Sequence, residues 1–111
     1  ILGYYDVPAQ SEYELMKAIS KNPVAVAIEA DTAVFQNYVS GVIWDLRCGT
    51  SLNHGVLAVG YATTRIGGYY IVKNSWGSDW GEEGYVRLGF AGDGPGMCGI
   101  QMMASYPFID L

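Results

Sequence analysis

A chain of 111 residues, half of them hydrophobic and 15% charged, has the size of one domain or one lobe and enough apolar side chains for a real core, so it is no disordered tail. Six Lys and Arg against eleven Asp and Glu leave a net charge of −5, with the basic residues scattered, which argues against nucleic acid or an anionic membrane as partner. No apolar run approaches the ~20 residues of a membrane-spanning helix.

The first residues, "ILGYYDVP", contain no initiator Met, no basic n-region and no cleavage pattern, so they do not read as a signal peptide. The chain starts abruptly, as a processed or excised piece would, and is expected to be part of something larger. "SEYELMKAISK", Ser11 to Lys21, predicts a helix: Ser11 and Glu14 form a capping box, and Leu15, Ala18 and Ile19 recur at helical spacing. Asn22-Pro23 stops it. "VAVAIEA", Val24 to Ala30, has the length and composition of a buried strand, and Asp31 is expected to cap a short turn carrying Phe35 and Tyr38.

The stretch from there to Asn53 reads as irregular. Strand-like runs follow: "GVLAVGYA", "GGYYIVKNSW", "GYVRLGF" and "MMASYPF", with Gly67-Gly68 expected as a hairpin turn. "AGDGPGMCGI" is too rich in Gly and Pro for either regular element. A helix followed by several antiparallel strands makes an α+β or mainly β lobe. No internal repeat, low-complexity tract or linker interrupts it.

His54 is the only histidine, and imidazole is the one side chain whose ordinary pKa lies near neutrality, so it is the natural general base. Against that stands the plainer reading of a lone structural histidine. Asn74 lies twenty residues on, after the next pair of strand-like runs. If those runs are antiparallel neighbours, the start of one and the end of the other share an edge, and the Asn amide oxygen can accept the ring N–H and fix its orientation. Trp76 and Trp80, each followed by glycine, read either as core aromatics or as indoles held over a polar pair. Glu82 and Glu83 are adjacent in a turn and read as a solvated loop rather than as an acid/base pair. Cys48 and Cys98 could form a disulfide or remain two buried thiols. One His and two distant Cys do not have zinc-ligand spacing. "GFAGDGPG" has neither the Lys nor the strand-to-helix setting of a phosphate loop. No cofactor is implied.

"LNHGVLAVGY", "YYIVKNSWGSDWGEEGYVRL" and "MCGI…SYP", in that order and spacing, resemble the C-terminal half of papain-family cysteine proteases, the cathepsin L-like branch in particular. The resemblance reaches upstream through "FQNYVSGV" and "PVAVAIEA" to about Tyr4. It implies the antiparallel, β-rich, barrel-like lobe of a two-lobed fold of α+β class, with a short helix near its start and the active site in the cleft between lobes. It implies that His54 is the general base, that Asn74 orients the ring, that Trp76 covers their hydrogen bond and contributes to the substrate-binding surface on the primed side, and that Trp80 packs beside it. Cys48 and Cys98 fall on positions bridged to each other in the family. Ala27, Leu52, Gly55 and Met103 fall on positions lining the pocket for the substrate's P2 side chain. Asn53 falls on a substrate-binding position toward the primed side. Apolar walls without an acid predict aliphatic or aromatic P2 groups, since burying one returns about 1.5–3 kcal/mol while an unpaired charge costs more.

The resemblance also shows what these residues lack. No Cys is followed by Trp, and no Gln stands a short way before a Cys-Gly pair. The nucleophile and the oxyanion-hole Gln are therefore expected on a companion chain, the N-terminal lobe, and the chain alone should have no peptidase activity. Peptide and protein substrates are the expected partners, with a propeptide or cystatin-like inhibitor, in a lysosomal, vacuolar or secreted setting. The rival reading is a papain-like pseudoenzyme serving as a binding module; an inhibitor-like or propeptide module fits poorly, because it would have no use for the His-strand-Asn arrangement.

Overall fold

The computed structural model describes residues 3–108, and the abrupt start at Ile1 lies outside them. Among these residues one seven-stranded sheet runs in the order β1-β7-β2-β4-β5-β6-β3. Its strands are β1 (Gly3–Asp6), β2 (Val24–Ile28), β3 (Val42–Ile43), β4 (His54–Thr64), β5 (Gly67–Lys73), β6 (Tyr85–Gly89) and β7 (Ala104–Phe108). Every pairing is antiparallel except that of β3 with β6. This is the expected β-rich lobe.

Helix α1 (Glu12–Ile19) forms where its sequence predicts it. Ser11 is the N-cap, its hydroxyl accepting the Glu14 N–H at 3.1 Å, and Leu15, Ala18 and Ile19 are buried. The Asn22 amide reaches back to the Ala18 carbonyl, closing the end before Pro23. The second helix, α2 (Ala33–Gln36), begins at Thr32 rather than Asp31, and no side chain caps it. What holds that turn is Phe35, fully buried beneath it, so packing substitutes for the missing cap.

In β2 and β4 alternate residues face the core: Val24, Val26 and Ile28 on one strand, Val56 and Ala58 on the other. The hairpin between β4 and β5 turns on Arg65-Ile66; Gly67 and Gly68 are already paired with Thr64 and Thr63, so the expected glycine turn is displaced by two residues. The segment read as irregular contains β3 and a 3₁₀ turn, Leu46–Cys48, capped by the Asp45 carboxylate on the Arg47 N–H. Cys48 and Cys98 form a disulfide, with Cα atoms 4.9 Å apart and both residues buried.

Candidate active site

Register brings His54 and Asn74 together. Leu57 pairs with Lys73 and Ala58 with Val72, so one further step sets Asn74 opposite Val56, and His54 two residues beyond on the same face. Asn74 is 6% exposed and its Oδ1 lies 2.8 Å from His54 Nε2.

The amide's orientation decides the tautomer. Asn74 Oδ1 also accepts the Ser75 N–H at 2.8 Å, so the atom facing the ring is an acceptor. Nε2 must then carry a proton and donate it, which leaves Nδ1 with its lone pair, the form a base requires. Asn74 Nδ2 is buried without a partner among the described residues. The Asn74 N–H donates to the Gly84 carbonyl at 3.0 Å, closing residues 74–84 into a loop at its base.

That loop carries both tryptophans. The Trp76 ring lies 5.2 Å from the imidazole, centroid to centroid, and is itself 41% exposed. Behind it, Trp80 meets Trp76 edge-on at 5.4 Å and packs on Phe35 at 4.9 Å and Tyr38 at 5.4 Å. One face of His54 is thus covered by an indole that a second indole supports.

Asn53 prepares the strand that presents His54. Its N–H donates to the Ile28 carbonyl and its Oδ1 accepts the Ala30 N–H, both at 2.9 Å. At this position, expected to bind substrate toward the primed side, the side-chain oxygen is engaged with the backbone beyond β2. Ala27 lies opposite Gly55 in the β2–β4 ladder, and its N–H donates to the Met103 carbonyl at 3.1 Å. These three residues form one patch, on which Met103 stands 66% exposed. Leu52 is half-buried against Gly99. The turn leading to it is pinned by Glu29, whose carboxylate accepts the Ser51 N–H at 2.8 Å and fills the space over Gly49, where φ is +83° and any Cβ would collide with it.

Two features went unread in the sequence. Glu82 is no solvated loop residue: its carboxylate takes Arg87 Nε and Nη2 at 2.9 and 2.7 Å and the Gly41 N–H at 3.0 Å. The Arg87 guanidinium, through those hydrogen bonds above all, holds the carboxyl below the usual range. An acid and an arginine flanking the turn "EEGYVR" were the available signal. Glu83 is exposed, with φ +54°. The Ser75 backbone donor, which orders the amide, leaves no mark in sequence at all.

The sheet has the architecture of the β-rich C-terminal lobe of the papain-like fold. The chain belongs to the papain family of cysteine proteases, whose family model, "Papain family cysteine protease", matches residues 1–108. The cysteine endopeptidase RepA of Oryza sativa subsp. japonica is 57% identical over 108 residues, covering 95% of this chain and 28% of RepA. Among solved structures, the bromelain protease of Ananas comosus superposes with a TM-score of 0.90 at 46% identity, over 99% of this chain and 51% of its own. Digestive procathepsin L 3 of the Tenebrio molitor larval midgut superposes with a TM-score of 0.85 at 48% identity, over 96% of this chain and 35% of its own. The chain thus spans less than a third of RepA and about half of bromelain.

Proposed function

We propose that this chain is the base-carrying lobe of a papain-like cysteine endopeptidase, completed by an N-terminal lobe that supplies the nucleophilic Cys from outside these 111 residues. The single observation that carries the proposal is the fixed tautomer: Asn74 Oδ1, committed as acceptor by the Ser75 N–H, leaves His54 Nδ1 free to take a proton.

In the assembled site His54 takes the thiol proton, giving a thiolate beside an imidazolium. The thiolate attacks the peptide carbonyl carbon. As the C–N bond breaks, the imidazolium gives its proton to the leaving amine, and an acyl-enzyme remains. His54 then takes a proton from water, the hydroxide displaces the thiolate from the thioester, and the acid product leaves. Asn74 orients the ring throughout, and Trp76 keeps water from their hydrogen bond, which strengthens it. Ala27, Leu52, Gly55 and Met103 receive an apolar or aromatic P2 side chain, with the thioether of Met103 adapting to its shape. Asn53 contributes to the primed side through the backbone that it holds. Without the thiol the isolated chain is inactive. The buried disulfide supports an oxidising setting, lysosomal, vacuolar or secreted, and relatives solved as proforms support a propeptide as a further partner.

The test is the intact mass of every polypeptide in a native, unreduced preparation, before and after an epoxide peptide with an apolar P2 group. One inhibitor mass on a second chain, with this chain unlabelled, is the expected result; one mass on a single longer polypeptide would make the lobes continuous. No label anywhere would refute the protease reading in favour of a binding module. A panel of substrates differing only at P2 should rank Leu and Phe above Arg.

A further inference from the structure

Glu82 lies outside the machinery just described, yet its carboxylate ties three segments together: it accepts Gly41 N–H from the 38–41 stretch, belongs to the tryptophan loop, and is held in a two-bond fork by Arg87 of β6. The fork is itself braced, since Arg87 stacks over the Tyr69 ring at 5.2 Å. By contrast, the other ion pair among the described residues, Arg47 with Asp45, leaves its arginine 85% exposed and joins residues only two apart.

The clamp reaches His54 through contacts that are all short. Tyr38 donates its hydroxyl to the Gly41 carbonyl at 2.6 Å, so fixing Gly41 fixes the Tyr38 ring. Gly81, at φ +61°, lets the loop backbone pass so close that a Cβ there would sit 3.0 Å from that ring and 2.7 Å from the Tyr85 carbonyl. Tyr38 packs on Trp80, Trp80 on Trp76, and Trp76 on the imidazole. Loosening the clamp removes the support on the Tyr38 side of that stack, leaving the Trp76 indole held by the edge of Phe35 at 5.4 Å and by the Asn74–Gly84 hydrogen bond at the base of the loop.

We propose that Glu82 is a positioning residue for His54: by joining Gly41 and Arg87 it holds the Trp80–Trp76 stack in place, and so keeps the Trp76 indole over the His54–Asn74 hydrogen bond. The inference rests on the reading of His54 as the general base. The charged and titratable groups facing Glu82 are Arg87 and the Tyr38 phenol, neither of which changes charge near neutrality. A change in the alkaline limb of activity therefore reports the imidazolium, not the clamp's own titration.

The test uses the native assembled peptidase carrying Glu82→Gln or Glu82→Ala, with Asp45→Asn as control. Labelling of the thiol by the apolar-P2 epoxide is followed against pH, alongside kcat, KM, near-UV tryptophan circular dichroism and Tm. With the indole loosened, water hydrates the ring and competes with Asn74 for its N–H, which changes the balance between the two protonation states. The alkaline limb should then shift, with kcat falling, KM little changed and the tryptophan signal altered. Asp45→Asn should change none of these. An unmoved alkaline limb in the Glu82 variants, whatever happens to Tm, overturns the proposal; if the Ala variant does not fold, the Gln variant decides. His54→Ala separates the two readings. Turnover surviving in it removes the base assignment itself, whereas turnover lost there with an unmoved limb in the Glu82 variants removes only the clamp.

Discussion

Replacing Asn74 by Ala should separate catalysis from stability. Asn74 Oδ1 accepts two N–H groups at 2.8 Å, from His54 Nε2 and from Ser75. In the reacting enzyme the first becomes a bond to an imidazolium, worth about 1.5–3 kcal/mol. At ~1.36 kcal/mol per decade, its loss is on the order of a 10- to 150-fold fall in kcat/KM. Folding feels opposing effects. The substitution frees the Ser75 N–H, but it also removes Nδ2, a buried donor without a partner among the described residues, whose burial costs about 1–3 kcal/mol. The two nearly cancel, so unfolding free energy should change by less than about 1 kcal/mol. Asn74→Asp provides the opposite sign: it keeps the acceptor oxygen and adds a negative charge that favours the imidazolium, so the alkaline limb should rise. The assay is kcat/KM and epoxide labelling of the assembled peptidase across pH, with denaturant unfolding alongside. Asn74→Ala retaining kcat/KM within about twofold, with an unmoved alkaline limb, would show that something other than this amide orients the ring.

Two further outcomes concern the scaffold. The Cys48–Cys98 bridge closes a separation of 50 residues, and the chain-entropy relation gives about 4 kcal/mol for a loop of that size. Replacing both cysteines by Ser should lower the unfolding free energy by that order in guanidinium titrations, and a loss below about 1 kcal/mol would mean that the reduced, unfolded chain already keeps the two ends together. Glu82 has a folded pKa depressed from 4.5, mainly by hydrogen bonding to Arg87. Its contribution is therefore fully present above the unfolded carboxyl's pKa and is lost as pH falls through the lower folded value. Tm of the native protein and of Glu82→Gln should differ at pH 6 and converge toward pH 3; an equal gap at both would show that ionisation of Glu82 contributes nothing.

Legibility in the sequence followed the range of the interaction. Helix α1 was readable because its cap, its apolar face and its Asn-Pro stop all lie within about a dozen residues. The runs that become β4, β5 and β6 were readable because each is a short apolar stretch set off by glycines, and along β5 buried residues alternate. By contrast β1, with its four residues mostly exposed, has no such pattern; it exists because β7 lies beside it, a hundred residues away, pairing Gly3 with Phe108. The two-residue β3 depends likewise on its parallel partner β6. Asp31 carried the right chemistry for a cap, yet the buried ring of Phe35 set the turn one residue later.

The sequence by itself determined the parts: a single imidazole at the head of an apolar strand, an amide at the end of the next run, and glycines that free the loop between tryptophans. Spacing was enough to suggest that His54 and Asn74 could meet, because two antiparallel strands joined by a tight turn return the chain to its own edge. Tertiary structure alone decided how they meet. The Ser75 N–H fixes which amide atom faces the ring, Asn53 is drawn to Ala30, and Glu82 gathers Gly41 and Arg87 around it. Each of these is a directional hydrogen bond set by register and backbone path, and such a bond leaves no periodicity in a sequence to read.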